Sequence, residues 1–289
     1  MLQWFKSKAR VAEIKEPPIV ENFADPDPIY RYFSAMTGIH FDQKESIITP
    51  KLIHFAKESE CFSFEGLYEK LQRDQNCKEA LINLLTVNET YFFREMGQIE
   101  FLGRCVKDDL SPQRILCAPG SSGEEPYSIA IYLAELGVDL SRMEIISIDI
   151  NTEMISKAQK GIYPERSLYR LSPELRERYF IFDSNGYRVC DRIQKCVQFR
   201  SCNLFEPTFN ELGLFDVIFS RNMLIYFDKE TILRAVDQLR RVARSENTLF
   251  FFGHADIVTQ ISTLCEHYVE GVKYYTISPF TFNEKNIKA

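Results

Sequence analysis

From residue 29 to about 85, apolar residues recur at the three- and four-residue steps of α-helices. Tyr30 and Phe33 share one face. Leu52, Phe55 and Ala56 follow Thr49, read as a cap, and Pro50, read as the first helical residue. Ser63 suits the cap of a helix over 64–68, and Ala80, Leu81, Leu84 and Leu85 mark a last apolar face. Strand signals are few, so residues 29–87 read as a small all-α domain. Upstream, 1–28 read as a flexible tail, because Glu16-Pro17-Pro18 and Asp25-Pro26-Asp27-Pro28 interrupt any helix.

After Arg94 the pattern changes. Short apolar runs at 114–118, 143–148, 215–220 and 248–252 alternate with helical stretches at 126–136, 151–160 and 229–243. Such alternation implies a mainly parallel sheet covered on both faces, the doubly wound, Rossmann-like α/β class. One stretch breaks the rhythm. Asp183-Ser184-Asn185-Gly186 is a tight-turn signal between strand-like residues, so a small antiparallel β insertion is expected at about 179–195.

Composition narrows the function. A chain of 289 residues, 45% apolar and 26% charged, is an ordinary globular protein of about two domains. Its net charge of −6 argues against nucleic acid as the partner. No apolar run reaches the ~18–20 residues of a membrane helix, and the N-terminus lacks a secretory signal, so a cytoplasmic monomer without membrane insertion is expected. The eight cysteines show no zinc spacing, and no metal is expected. Charge is uneven. Residues 156–200 hold ten basic and five acidic side chains, whereas 27–95 hold eight basic and eleven acidic ones.

Four segments carry candidate chemistry. Ala118-Pro119-Gly120-Ser121-Ser122-Gly123-Glu124-Glu125-Pro126 joins a strand to a helix, where α/β sheets bind nucleotide-like ligands. Glu124 and Glu125 would repel a pyrophosphate and tolerate a cationic, phosphate-free ligand such as S-adenosylmethionine. Asp149 ends the next strand, where an acid accepts ribose hydroxyls; by itself it equally suits a cap for the following helix. Asn88 and Thr90 precede an aromatic run and Arg94; either residue also suits a helix cap. Arg221, Asn222 and Tyr226 follow a strand, over the crevice or in a surface loop with Tyr226 packed in the core.

Together these segments resemble the chemotaxis receptor glutamate methyltransferases, the CheR family. The carrying residues are Asn88-Glu89-Thr90-Tyr91-Phe92-Phe93-Arg94, Ser122-Gly123-Glu124-Glu125-Pro126-Tyr127-Ser128, Asp149-Ile150-Asn151, the run from Phe215 to Asp228, and Phe252-Gly253-His254. The likeness spans about 30–277. It implies a helical domain, a linker at 88–95 that reaches the cofactor, and an S-adenosylmethionine-binding α/β domain over 96–289. It implies S-adenosylhomocysteine as product. Asn88, Thr90, Arg94, Glu125, Asp149, Asn203, Leu204, Arg221 and Asn222 are the implied cofactor-binding residues, with Glu124 a less favoured alternative to Glu125. Arg94 and Tyr226 are the implied catalytic residues. Methyl-accepting chemotaxis receptors are the implied partners, with a receptor tethering peptide as a further expectation.

A carboxylate acceptor, with a pKa of about 4.3, is already ionised at neutral pH, so no general base is needed. The four histidines are therefore read as structural. Methylation of another carboxylate or a small molecule, and cofactor sensing without turnover, remain alternatives. Since 27–95 is net acidic, the basic segment 156–200 is the expected receptor-docking surface.

Overall fold

The computed structural model describes residues 21–41, 44–107, 111, 113–256 and 263–279. Four helices come first: α1 (Asp27–Thr37), α2 (Glu45–Glu58), α3 (Phe64–Arg73) and α4 (Gln75–Leu85). They enclose a core of Ile29, Phe33, Leu52, Leu67, Leu71 and Leu81, all fully buried. Ser63 caps α3 by accepting the Gly66 N–H at 3.0 Å, and Asp74 caps α4 through Asn76 and Cys77.

Two expectations are corrected here. Helix α2 begins a turn before Thr49, so Pro50 lies inside it and one helical N–H is missing. Thr49 donates its hydroxyl to the Glu45 carbonyl instead of capping. The described end of the expected tail is anchored. Pro26 and Pro28 open α1, Asn22 pairs with Phe62 and Phe64 through the backbone, and the Phe23 ring packs edge-on to Phe64. A proline's missing N–H costs nothing in a first helical turn. Residues 1–20 of that tail lie outside the described residues.

Helix α5 (Met96–Val106) leads into the α/β part: β1 (Gln113–Cys117), α6 (Glu124–Glu135), β2 (Met143–Asp149), α7 (Thr152–Lys160), β3 (Ile162–Tyr163), α8 (Pro173–Tyr179), β4 (Phe180–Asp183), β5 (Gly186–Val189), α9 (Asp191–Gln194), β6 (Val197–Ser201), β7 (Val217–Ser220), α10 (Lys229–Arg241), β8 (Leu249–Phe252), β9 (Cys265–Val269) and β10 (Val272–Thr276). The large sheet runs β6-β2-β1-β7-β8-β10-β9. Its first five strands are parallel; β10 is antiparallel to both neighbours. Strand alternation divides its core. Ile115 and Cys117 face α5 and α6, while Leu116 faces α10. The β9–β10 hairpin escaped sequence reading. Its turn is Glu270-Gly271, both left-handed, and lacks the usual Asn-Gly signal.

The chain leaves β1 toward β2 and β6, then returns to the other side of β1 for β7 and β8. That reversal opens a crevice at the strands' carboxyl ends between β1 and β7. The expected hairpin stands apart in a three-stranded antiparallel sheet, β3-β5-β4. This sheet starts earlier than the hairpin, because the two-residue β3, too short to show a period, pairs with β5. Phe92, fully buried, stitches it to the linker, its ring edge-on to Tyr163 at 4.9 Å and to Phe180 at 5.1 Å.

Phe92→Ala is expected to cost about 3–5 kcal/mol of unfolding free energy in urea. Phe182→Ala, on a side chain 69% exposed in the same sheet, is expected to stay within about 0.5 kcal/mol. Equal losses would show that Phe92 does not hold the two sheets together.

Candidate active site

The loop after β1 is shaped by close backbone approach. The Gly120 N–H donates to the Ile148 carbonyl at 2.8 Å, and a Cβ on Gly120 would lie 1.7 Å from Ser147 Oγ. Gly123 is left-handed, and a Cβ there would lie 2.8 Å from the Tyr163 hydroxyl. Tyr163, fully buried, donates that hydroxyl to the Ser122 carbonyl at 2.6 Å, so the small sheet props the loop from behind. The two loop acids part ways. Glu124 is buried against the Ser122 hydroxyl at 2.6 Å, and burial raises its pKa. Glu125 lines the cleft.

Asp149 is 5% exposed at the end of β2. Its carboxylate accepts the Ser121 N–H at 2.9 Å and the Asn151 N–H at 2.8 Å. Burial still pushes its pKa up to about 6, with these donors opposing the rise. Asn151, not Asp149, caps α7, accepting the Met154 N–H. The Asn151 amide also donates to Thr86 Oγ1 at 2.7 Å, and the Thr152 N–H to Asn83 Oδ1 at 3.0 Å. The helical bundle is thus tied beside Asp149. A second tie joins the Asn203 amide to the Met36 carbonyl at 2.8 Å.

At the end of β7, Arg221 is 4% exposed. It lies 3.3 Å from Glu125 and 3.6 Å from Glu95, and donates to the Arg94 carbonyl at 2.5 Å. Burial raises the Glu125 pKa and Arg221 opposes the rise. The linker reaches Arg221 through left-handed turns at Phe93 and Glu95, with the Phe93 N–H held by Ser128 Oγ at 2.9 Å. Arg94 bends back to donate to the Glu89 carbonyl. Asn222, also left-handed, is locked by Asp256, whose carboxylate accepts the N–H groups of Asn222, Gly253 and Ile225 at 2.6, 2.8 and 3.2 Å. Burial raises the Asp256 pKa. Sequence reading missed Glu95 and Asp256. The available signal was an acid directly after Arg94 and another just past Gly253-His254.

Two chambers share Val87, Asn88, Pro119 and Asn222. Asp149, Asn203, Leu204 and Tyr226 line the larger one, which opens to solvent. Thr90, Arg94, Glu125 and Arg221 line the smaller one. All ten residues expected at the site therefore reach one cleft. Tyr226 is not a core residue: it faces the larger chamber, with Lys44 over its ring at 5.7 Å and its carbonyl accepting the His40 N–H. Lys44 and His40 come from the helical bundle and were not foreseen. In the smaller chamber, Glu125 Oε1 is buried without a hydrogen-bond partner among the described residues, and Arg221 Nη1, 3.3 Å from Glu125 Oε2, makes an ion pair without hydrogen-bond geometry. A carboxylate with a spare oxygen beside a guanidinium with spare donors fits a zwitterionic amino-acid group, such as the methionine part of S-adenosylmethionine.

Residues 88–272 match the family described as CheR methyltransferase, SAM binding domain. A chemotaxis protein methyltransferase of Campylobacter jejuni is 33% identical over 85% of this chain and 93% of its own length. The chain belongs to the CheR methyltransferase family. Chemotaxis protein methyltransferase 2 of Vibrio cholerae is 38% identical over 81% of this chain and 85% of its own length. That of Escherichia coli is 32% identical over 74% and 77%. S-Adenosylmethionine is the cofactor of this CheR methyltransferase, and Glu125 with Arg221 at the smaller chamber suits it. Among the described residues no cluster of His, Cys, Asp or Glu suits a metal ion, and no helix is long and apolar enough to cross a membrane.

Gly120→Ala is expected to destabilise this CheR fold by about 1–3 kcal/mol in thermal or urea unfolding. Adding Ser147→Ala, which removes the colliding hydroxyl, is expected to restore most of that loss. No recovery in the double variant would place the strain elsewhere.

Proposed function

We propose that this chain methylates glutamate side chains of chemotaxis receptors, forming glutamyl methyl esters, and that it works as a cytoplasmic monomer. The observation that carries this reading is the convergence of Arg94, Glu125, Asp149, Arg221 and Tyr226, from four separate segments, on one cleft at the sheet's reversal point. The names of its relatives as chemotaxis methyltransferases point to the acceptor. All eight cysteines are free thiols, which suits a reducing compartment.

The cofactor supplies a methyl group on a sulfonium, with a neutral sulfide as leaving group. The chain's residues bind and align. Asp149 accepts the ribose hydroxyls, beside Asn203 and Leu204. Glu125 pairs with the ammonium and Arg221 with the carboxylate of the methionine part, with Asn88, Thr90 and Asn222 around them. Arg94 holds the acceptor carboxylate by a charge-assisted hydrogen bond. Tyr226 lines the approach and excludes water. Catalysis then rests on proximity and alignment, which can supply about 7–11 kcal/mol without a general base.

The docking expectation changes. In the basic segment 156–200, Arg176 faces Glu165 at 3.7 Å, Arg178 faces Glu135 at 2.6 Å and Arg188 faces Asp191 at 2.6 Å; the segment stays net basic, but none of its basic residues lines either chamber. Helix α2 instead exposes Ile47, Lys51 and His54 on the face that continues from Lys44 at the cleft. We assign receptor docking to that face, within a domain of net negative charge. The outer strand β4 exposes Ile181 and Phe182 and suits backbone pairing with an extended tethering peptide.

With methyl-labelled S-adenosylmethionine and receptor-bearing membranes, mild base is expected to release labelled methanol. Label that resists base would identify a different acceptor group. Asp149→Ala is expected to weaken S-adenosylhomocysteine binding by about 1.5–3 kcal/mol in calorimetry. Ribose hydroxyls donate to the ionised carboxylate, so affinity is expected to rise from about pH 5 to about pH 7, and this rise to shrink in Asp149→Ala. Without ligand the sign reverses. The pKa of Asp149 is raised on folding, so its contribution to stability is lost as pH rises through about 6. A pH-independent affinity would remove Asp149 from the ribose.

A further inference from the structure

We propose that Arg170 is a second acceptor-reading cation of this CheR enzyme, recognising an acidic side chain that neighbours the glutamate being methylated. The proposal rests on the reading that the acceptor is a glutamate on an acidic protein segment.

The geometry is a ladder of cations and rings leading out of the cleft. Arg94, at the smaller chamber, lies 5.8 Å from the Tyr91 ring centre. The Tyr91 and Tyr169 rings tilt against each other with centres 4.9 Å apart. Arg170 lies 5.4 Å from the Tyr169 ring centre. Tyr169 is 53% exposed and Arg170 is exposed, so the outer end of the ladder faces solvent. Among the described residues no carboxylate pairs with Arg94 or Arg170 within 4.0 Å, although Arg176 and Arg178, on the helix that follows, both have acidic partners. The one acid of the Arg170 turn, Glu165, faces Arg176.

The platform is built rather than loose. The Phe92 N–H donates to the Ser167 carbonyl at 3.0 Å, and the Leu171 N–H to the Leu168 carbonyl at 2.9 Å. Arg176 donates to the Leu168 carbonyl at 2.8 Å, and the Ser167 hydroxyl contacts Glu124 at 3.4 Å. Arg170 is therefore set at a defined offset from Arg94. Hydrogen bonding to Arg170 and to Tyr91 lowers the Tyr169 pKa, and the hydrogen bond to Tyr169 raises that of Tyr91, so the two rings and Arg170 act as one unit. The ring and a hydrogen bond to the Tyr169 hydroxyl hold the Arg170 guanidinium in place, and its remaining N–H groups can meet a carboxylate.

The ligand chemistry follows. A helix repeats its side chains on one face about every 5.4 Å, so an acidic helix presents several carboxylates in a row. One enters beside Arg94; a second, further along the same face, meets Arg170. An isolated small carboxylate has no second group and gains nothing from Arg170. The ladder thus favours an acidic segment over a lone carboxylate.

The test compares Arg170→Glu with Arg241→Glu, an equal charge change on α10. Both are assayed with labelled S-adenosylmethionine, receptor-bearing membranes and base-released methanol. Arg170→Glu is expected to raise the acceptor KM roughly tenfold at low salt and less at high salt, with kcat and S-adenosylhomocysteine affinity unchanged. Arg241→Glu is expected to leave all of these near wild type. Unchanged cofactor affinity reports an intact fold, since both positions are exposed. If Arg170→Glu matches Arg241→Glu in KM while wild type forms base-labile esters, this proposal is overturned and the acceptor reading stands. If wild type forms no such ester, the acceptor reading fails and this proposal falls with it. A fall in kcat or cofactor affinity alone would make Arg170 structural and also overturn it.

Discussion

Arg221 is a guanidinium with almost no access to water, and such a charge costs several kcal/mol unless acids and acceptors surround it. Its neutralisers come from two other parts of the chain: Glu125 from the first turn of α6, and Glu95 with the Arg94 carbonyl from the linker. Satisfying one buried cation therefore fixes two segments relative to the end of β7. The arrangement leaves Glu125 Oε1 without a hydrogen bond and Arg221 Nη1 with an ion pair but no hydrogen bond. Unmatched buried polar atoms are unfavourable in the empty protein and become an asset when a ligand completes them. The stability problem posed by Arg221 and the binding capacity of the smaller chamber are one feature.

The same economy governs the junction between the helical bundle and the sheet. Asn83 and Thr86 meet Asn151 and Thr152 next to Asp149, and Met36 meets Asn203 on the other side of the larger chamber. Residues that border the cofactor cleft are thus also the ones that dock the bundle. The bundle returns the contact by lining the cleft with His40, Phe41 and Lys44. Its position and the shape of the cleft are coupled through these hydrogen bonds.

The small sheet has a supporting part that its hairpin signature does not announce. Tyr163 of β3 holds the Ser122 carbonyl in the cofactor loop, and its ring packs on Phe92 of the linker. Removing that buttress would free the loop and the linker together. The turn between β3 and α8 also carries Tyr169 and Arg170 to the rim of the cleft, so one insertion shapes both the inside of the site and its edge.

Periodicity and turn chemistry determined much of this protein on their own. Steps of three and four marked the bundle, because burial in a helix is set by neighbours along the chain. Apolar runs marked β1, β2, β7 and β8, because buried parallel strands are apolar on both faces. Asn185-Gly186 marked a hairpin, although its two turn residues are Ser184 and Asn185 and Gly186 opens β5 opposite Asp183. The ten residues proposed for the site could be named because they sit in segments whose likeness to one family is strong, and the fold brings them to one cleft. What stayed hidden was nonlocal. Glu95 and Asp256 look like ordinary surface acids until the fold brings Arg221 and the Asn222 turn against them. The α2 start could not be placed, since Pro50 fits a first turn as well as an interior one that packing makes tolerable. The short β3 and the Glu270-Gly271 hairpin carry too little local pattern. The basic charge of 156–200 was countable in the chain, but only tertiary structure paired Arg178 with Glu135, 43 residues away. Local patterns specify elements because their causes are local; charge compensation is a property of distance in space, which only the folded chain defines.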